Sequence, residues 1–166
     1  MHHTVHALDL SDTAWEAAGQ PYDLEPTLLY AIAIMESGRA HGGGLTPWPW
    51  TLSSPDRGGR FFASQEEAML HLQANRNAAV DVGMMQVNAR HHGHRVATAE
   101  ALLEPATNLE VAAAILAEAI ASAPADPELG VGRYHSPNEE RARNYGRTVL
   151  QIKDRLDHLS PAREVP

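Results

Sequence analysis

Apolar residues recur along much of the chain at the spacing of an α-helix. In the segment DLEPTLLYAIAIMESG, residues 23–38, four positions follow an i, i+3, i+4, i+7 pattern and share one face: Leu29, Ile32, Ala33 and Glu36. Asp23 is a suitable N-cap, Pro26 suits the first turn, and Gly38 suits the end. The pattern predicts one helix whose core-facing stripe ends in a carboxylate.

Further helices are predicted where a capping box precedes apolar residues at helical spacing. In such a box a Ser or Thr side chain accepts the backbone N–H of the residue three positions later. The Glu or Gln at that position accepts the backbone N–H of the Ser or Thr. Three pairs have this spacing: Ser64 with Glu67, Thr107 with Glu110, and Ser136 with Glu139. A short helix is also predicted over residues 11–19, with Ser11 as its cap.

The middle of the chain departs from this helical pattern. Residues 41–64 hold too many Gly and Pro for a helix, and residues 48–52 and 60–63 are predicted to pair as a hairpin around SSPDRGG. The expected fold is therefore α-rich α+β, with mostly helices and a small β-hairpin in the 41–63 region.

The chain shows neither an internal repeat nor a linker. Its 166 residues suit one domain with a substantial core. We therefore expect a single domain over residues 1–166, with its core at about 11–157 and a tail at 158–166.

Charge and cysteine content narrow the classes of function. The net charge of −8 and the pI near 5.6 argue against a nucleic-acid partner, which requires a basic face. The absence of cysteine excludes disulfides and thiolate chemistry. No apolar run approaches the roughly 20 residues of a transmembrane segment. The N-terminus lacks the basic start and apolar stretch of a secretory signal, so the protein is either not exported or follows a removed leader.

Glu36 is the first candidate for chemistry, because it lies on the apolar stripe near the end of its helix. Loss of surrounding water and the negative end of the helix dipole both favour the protonated form of such a group. A carboxyl group that stays protonated near neutral pH is what a general acid requires. The alternative interpretation is a solvated residue at the end of a helix.

The segment DVGMMQVN, residues 81–88, is the second candidate. Gly83 before two methionines suggests a close backbone approach, and Gln86 and Asn88 place two amides on a tight segment. Taken alone, the segment could equally be two core methionines with hydrogen-bonding amides.

An ordered set of short motifs connects these two candidates. MES at residues 35–37, GMMQ at 83–86, Asn108 near a helix start and RYHS with Tyr134 together resemble the lytic transglycosylases of the soluble, goose-lysozyme-like type. The resemblance covers roughly residues 22–150. It implies a lysozyme-like fold, peptidoglycan as the substrate, and a periplasmic or cell-envelope location.

The resemblance assigns roles to individual residues of this chain. Glu36 matches the catalytic acid and base, and Tyr134 matches the tyrosine that faces this carboxylate in the family. The positions expected to bind substrate are Ser37, Asp81, Met85, Gln86, Asn88, Tyr134, Trp48 and Trp50. Gly83 and Asn108 are expected to be structural residues near the site.

The chain departs from the family pattern at three places. The glycines and small residues that follow the tyrosine in the family are replaced by His135, Ser136 and Pro137. The interval between Glu36 and Gly83 is longer than usual, which makes residues 41–77 an elaboration. The serine that the family carries ahead of the Gly-Met-Gln segment has no clear counterpart.

Asp81 leaves the reaction type open. Residues 81–88 also resemble a stretch of animal-type lysozymes in which the aspartate is a second carboxylate, and glycoside hydrolysis normally uses two. Asp81 is thus a turn or cap residue, an electrostatic stabiliser, or a second catalytic group.

Two other clusters carry competing interpretations. Trp48 and Trp50, with the two phenylalanines at 61–62, either stack on sugar rings or cover the core. The histidines at 91, 92 and 94 match no common zinc spacing, which favours a surface loop over a metal site. We expect neither a metal nor a cofactor.

The leading hypothesis for function is a peptidoglycan lytic transglycosylase. Such an enzyme cleaves the MurNAc-β-1,4-GlcNAc bond and leaves 1,6-anhydro-MurNAc, here with Glu36 as acid and then base. The first alternative is a lysozyme-like muramidase that uses Glu36 and Asp81 with water, and the second is a non-catalytic peptidoglycan-binding assembly module. Small members of the family often accompany secretion or conjugation machinery, so the resemblance implies such proteins as partners besides the glycan strands.

Overall fold

The structure is a computed structural model that describes residues 8–76 and 78–159. Over those residues it contains seven α-helices and two small antiparallel sheets, so the predicted α-rich α+β class is confirmed. The chain divides into two compact units, which we call the terminal unit (Met1–Ala31 with Leu116–Pro166) and the central unit (Ile32–Ile115). The expectation of a single domain stays a prediction. Of the predicted tail, residues 160–166 lie outside the described residues.

Helices build the terminal unit. It contains α1 (Ala14–Gly19), the start of α2 (Pro26–Ser37), the end of α5 (Pro105–Ala121), α6 (Pro127–Gly132) and α7 (Glu139–Leu159). Along α7, Tyr145 and Val149 are buried, and Ile152 and Leu156 are partly exposed. No helix within residues 8–76 and 78–159 is both long enough and apolar enough to cross a membrane.

Helices α6 and α7 pack closely at two glycines. A Cβ atom on Gly132 would lie 1.8 Å from the Ala142 carbonyl oxygen, and one on Gly146 would lie 1.9 Å from that of Glu128. Only a residue without a side chain fits either position. This packing fixes the end of α6, from which the chain continues to Tyr134.

The central unit contains both sheets. One sheet is the hairpin β1 (Gly38–His41) and β2 (Gly44–Pro47), which turns at Gly42 and Gly43 with φ of +60° and +86°. The other has the strand order β4-β3-β5-β6, formed by β3 (Thr51–Ser54), β4 (Gly58–Phe61), β5 (Asp81–Val82) and β6 (Val87–Asn88). The remaining elements are α3 (Gln65–Ala74), α4 (Ala89–His92) and two 3-10 segments, Gly93–Arg95 and Ala99–Leu103.

The predicted hairpin was wrong in its boundaries. Thr51–Ser54 pairs with Gly58–Phe61, so Trp48 and Trp50 precede the strand. Pro49 explains this, since a residue without an N–H cannot donate to a ladder. The additional β1–β2 hairpin was not predicted; its two-residue turn with positive φ at both positions is the type that suits twisted strands.

The helix starts were predicted with mixed success. The Ser64 box is confirmed in its first half, because the Ser64 hydroxyl accepts the Glu67 N–H at 3.2 Å, whereas the Glu67 carboxylate accepts the Ala63 N–H at 3.2 Å. The other two boxes are wrong. Helix α5 begins at Pro105, which places Thr107 inside it, and α7 begins at Glu139 with Asn138 accepting the Arg141 N–H at 3.0 Å. Proline at the first helical position explains the early start of α5.

Two capping assignments near the N-terminus were also wrong. Helix α1 begins at Ala14 with Thr13 as its N-cap, two residues beyond Ser11. Asp23 ends a 3-10 turn in the left-handed conformation, with φ of 55°, and α2 starts at Pro26.

Candidate active site

Glu36 lies in the last turn of α2, at the end of a buried stripe. Leu29, Ile32 and Ala33 have no exposed surface, as their spacing predicted, whereas Glu36 is partly buried. The carboxyl group thus has apolar residues along one side of its helix and some exposure to solvent.

Ser37 ties the end of α2 to two other segments. Its buried hydroxyl lies 2.8 Å from the Met84 carbonyl oxygen and 3.1 Å from that of Ala33, and it accepts the Trp48 N–H at 3.2 Å. A hydroxyl has one hydrogen, so it donates to one of the two carbonyls at a time. Because Ser37 is anchored on both sides, the backbone that carries Glu36 is anchored too.

The Gly83–Gln86 turn, which joins β5 to β6, is held by its backbone. The Gly83 N–H donates to the Thr51 carbonyl at 2.8 Å, and the Gln86 N–H donates to the Gly83 carbonyl at 3.1 Å. Gly83 has a φ of +82°, and a Cβ there would lie 2.3 Å from the Asn108 amide nitrogen. Both facts account for the glycine that the sequence places before the methionines.

Asn108 clamps this turn from the first part of α5. Its side-chain oxygen accepts the Met85 N–H at 2.9 Å, while its amide donates to the Val82 carbonyl at 2.8 Å and the Leu102 carbonyl at 2.9 Å. The residue is 1% exposed. Both amide hydrogens and the oxygen are therefore engaged inside the protein.

Gln86 is oriented by strand β3. Its amide donates to the Thr51 carbonyl at 3.1 Å and the Gly83 carbonyl at 2.8 Å, and its oxygen accepts the Ser53 hydroxyl. Both amide hydrogens are thus used within the central unit. Met85 beside it is fully buried. Contact of either residue with a sugar stays a prediction, and the arrangement favours positioning roles.

Asp81 and Asn88 face each other across the β5–β6 pair. The Asn88 amide donates to an Asp81 carboxylate oxygen at 2.7 Å, and the Asn88 oxygen accepts the N–H groups of Arg90 and His91 at 3.1 Å each. Asn88 is thereby the N-cap of α4 and the partner of Asp81. Both side chains are partly buried.

Trp48 and Trp50 form an edge-to-face pair with ring centroids 5.9 Å apart. The Trp48 indole N–H donates to the Phe62 carbonyl at 2.7 Å, and the Arg39 guanidinium lies 4.4 Å from the Trp48 ring centroid. The Trp50 indole nitrogen is buried, with no hydrogen-bond partner among the described residues. Both rings are partly exposed, so they are neither wholly core nor wholly surface.

Tyr134 belongs to the terminal unit, where it follows α6. Its N–H donates to the Val131 carbonyl at 3.2 Å, and the residue is partly buried. Upstream, the Leu129 N–H and the Arg143 guanidinium lower the pKa of Asp126, which caps α6. Tyr134 therefore follows a helix whose start is capped by Asp126 and whose end is tightly packed.

The residues that replace the small side chains of the family lead into α7. The His135 ring stacks on Tyr145 with centroids 4.5 Å apart, and the buried Ser136 hydroxyl accepts the Asn138 N–H at 3.2 Å. His135 and Ser136, which depart from the family pattern, thus make contacts that stabilise the start of α7.

The histidine cluster lies on α4 and the 3-10 segment after it. His91 and His94 are exposed, and His92 is partly buried. Among residues 8–76 and 78–159, no group of three or more His, Cys, Asp or Glu side chains is placed to hold a metal ion.

Sequence reasoning missed Thr51 and Ser53, which hold Gln86. Ser53 acts through its hydroxyl and Thr51 through its main-chain carbonyl, and a main-chain contact leaves no side-chain signal in the sequence. The Ser53 hydroxyl was a usable signal, but the predicted hairpin placed Ser53 in its turn and not on a strand.

Comparison with known proteins identifies one family. The family model of the transglycosylase SLT domain matches residues 60–151, which is more than half of the chain. The match includes Asp81, the Gly83–Gln86 turn, Asn108 and Tyr134, and it starts downstream of Glu36. Neither a curated protein nor a solved structure matches the chain.

Proposed function

The chain belongs to the transglycosylase SLT domain family, and from this premise we propose that Glu36 is the catalytic group of a peptidoglycan lytic transglycosylase. The family accounts for a lysozyme-like fold, for glycan-cleaving activity and for peptidoglycan as the substrate. What we propose beyond the family is which bond is cleaved, which product forms and which residues catalyse the reaction.

The proposed reaction breaks the β-1,4 bond between MurNAc and GlcNAc. Glu36 donates its proton to the glycosidic oxygen as the bond breaks, and the N-acetyl group of the sugar stabilises the positive charge. The Glu36 carboxylate then takes the proton of the C6 hydroxyl, whose oxygen closes a 1,6-anhydro ring on MurNAc. Water is not consumed, and Glu36 ends in the protonation state in which it began.

One observation carries the assignment to Glu36. Its neighbour Ser37 bonds to Met84, so the C-terminal turn of α2 is joined to the Gly83–Gln86 turn inside the family match. Glu36 thus lies outside the matched range in sequence but beside it in the central unit. Digestion of purified peptidoglycan followed by mass analysis tests the reaction, because anhydro products are lighter than hydrolysed products by one water.

A lysozyme-like hydrolase is the second candidate, and the oriented Asp81 favours it. A carboxylate that accepts a hydrogen bond from Asn88 is held in one direction, as a nucleophile or base must be. Products with reducing ends from the unmodified protein would support this candidate.

Asp81→Asn is expected to lower the rate by about tenfold and to leave the products in the 1,6-anhydro form. The reason is that a transglycosylase needs Asp81 only to support the cation electrostatically. Turnover and product mass of Asp81→Asn would be compared with Glu110→Gln, which neutralises an exposed carboxylate on α5. A loss as large as that caused by removing Glu36 would contradict the expectation and favour the hydrolase.

Trp48→Ala is expected to raise KM on the order of tenfold with the product unchanged, if the tryptophan pair stacks on sugar. Trp48→Phe keeps a flat ring but loses the hydrogen bond to the Phe62 carbonyl, so it should keep most of the affinity. Steady-state kinetics and a melting curve on both variants check this. Normal KM with lower stability in Trp48→Ala would assign the ring to the core instead.

We further propose that the protein works in the periplasm or cell envelope, beside secretion or conjugation machinery. The family is typically extracytoplasmic, which supports the location, and the partner rests on the resemblance alone. A protein that bound peptidoglycan without releasing muropeptides would instead be an assembly module.

A further inference from the structure

A pocket of about 260 Å³ opens on the central unit, and its lining includes neither Glu36 nor Asp81. Its walls come from β3, from the turn that leads into β4, and from α3. The polar lining includes Ser53, Asp56, Arg57, Arg60, His71 and Asn75. The lining residues between 52 and 58 precede the family match at residues 60–151, whereas Arg60, His71 and Asn75 lie inside it.

Two guanidinium groups dominate the charge of the pocket. The Arg57 side chain donates to the Asn75 oxygen at 2.8 Å, and the Arg60 guanidinium lies 4.7 Å from the Phe62 ring centroid. Both contacts hold a positive group beside the pocket. Against them the lining carries one carboxylate, that of Asp56. A positive pocket on a protein with a net charge of −8 calls for an anionic ligand.

The His71 ring, on α3, lies close enough to Arg57 and Arg60 to be affected by their positive charge. Burial lowers its pKa, and the positive charges of Arg60 and then Arg57 lower it further. The ring, whose centroid is 5.0 Å from that of Phe62, is therefore uncharged at neutral pH. It adds a hydrogen-bonding group to the pocket without adding charge.

The pocket is joined to the candidate active site through β3. Ser53 lines the pocket, and its hydroxyl donates to Gln86, the last residue of the Gly83–Gln86 turn. Leu52, which also lines the pocket, pairs with Val82 on β5. A ligand in the pocket would thus lie one strand away from the turn that contacts Ser37.

We propose that this pocket binds a free carboxylate of the peptide stem that peptidoglycan carries on its muramic acid. Planar guanidinium groups bind carboxylates with paired, charge-assisted hydrogen bonds, and Arg57 and Arg60 supply two such groups. The inference rests on the proposed function, since that function supplies a substrate with carboxylates near the cleaved bond. It makes the segment from β3 to α3 the part of the protein that recognises peptide-bearing glycan.

Cleavage of two substrates tests the role of the pocket. The wild type and Arg57→Gln/Arg60→Gln would be assayed on intact peptidoglycan and on glycan strands stripped of stems by an amidase. The double variant should lose on the order of tenfold or more in kcat/KM on the intact material and stay unchanged on stripped strands. Arg76→Gln is the matched control, because Arg76 pairs with Glu100 outside the pocket. Equal losses on both substrates, or no loss on either, would overturn the proposal.

A binding measurement on the wild type keeps the test independent of turnover and of variant stability. Isolated stem peptide should shift the His71 ring signals in an NMR titration, whereas the same peptide with amidated carboxyl groups should not. Equal shifts or no shifts with the two peptides would overturn the carboxylate site. If peptidoglycan is not cleaved but the carboxylate-dependent shift is seen, the catalytic proposal fails while the pocket stands.

Discussion

Glu36→Gln is expected to abolish cleavage of peptidoglycan, with a fall in turnover of about 10²–10⁴-fold or more. The amide has nearly the same shape as the acid, but it cannot give a proton to the glycosidic oxygen and then take one from the C6 hydroxyl. Since Glu36 is only partly buried, at the end of its stripe, the substitution should leave the packing of α2 unchanged. Release of soluble muropeptides measures the loss.

Two controls decide what a loss of activity means. A melting curve must show that Glu36→Gln remains folded, and Glu110→Gln, on the exposed side of α5, should keep full activity. Near-normal turnover in Glu36→Gln would remove the residue from catalysis. The acid would then have to be sought within residues 60–151, where Asp81, oriented by the Asn88 amide, is a candidate.

Asn108→Ala is expected to have the largest effect on stability, lowering the free energy of unfolding by about 3 kcal/mol or more. The substitution leaves the Met85 N–H and the carbonyls of Val82 and Leu102 without their buried partner. Each buried group left unsatisfied costs about 1–3 kcal/mol, and a small cavity adds to that. Urea denaturation measures the change.

Thr107→Ala provides the comparison for Asn108→Ala, because it alters a partly exposed neighbour on the same helix. It should change the free energy of unfolding by well under 1 kcal/mol. If Asn108→Ala were equally mild, the clamp on the Gly83–Gln86 turn would have to be weaker than its three hydrogen bonds indicate.

Local sequence signals predicted the parts of the fold that depend on near neighbours. The spacing of Leu29, Ile32 and Ala33 gave the buried face of α2, and Ser64 gave the start of α3. The β1–β2 hairpin was missed because its signal is only a run of three glycines, which fits a loop equally well. The box of Thr107 and Glu110 predicted the wrong start for α5, because Pro105, two residues upstream, also suits a helix start.

The sequence nominates the residues of the candidate site, whose roles stay a prediction, but not the contacts between them. The sequence pointed to Glu36, Ser37 and the 83–86 segment, yet the bond from Ser37 to Met84 joins residues 47 apart. The inward orientation of Gln86 likewise depends on Thr51 and Ser53, 35 and 33 residues away. Such contacts depend on how strands meet, and no local pattern encodes that.

The glycine turn of the β1–β2 hairpin makes the protein suitable for site-specific labelling. Among the described residues, nothing lies within 4 Å of a Cβ built on Gly44, and Gly44 lacks the positive φ of Gly42 and Gly43. Because the chain has no cysteine, a thiol introduced at Gly44 would be unique. A maleimide dye would then attach at one known point, on a hairpin whose base is bonded to the serine next to Glu36. Fluorescence could thus follow the surroundings of Glu36, the proposed catalytic residue, without any other change to the chain.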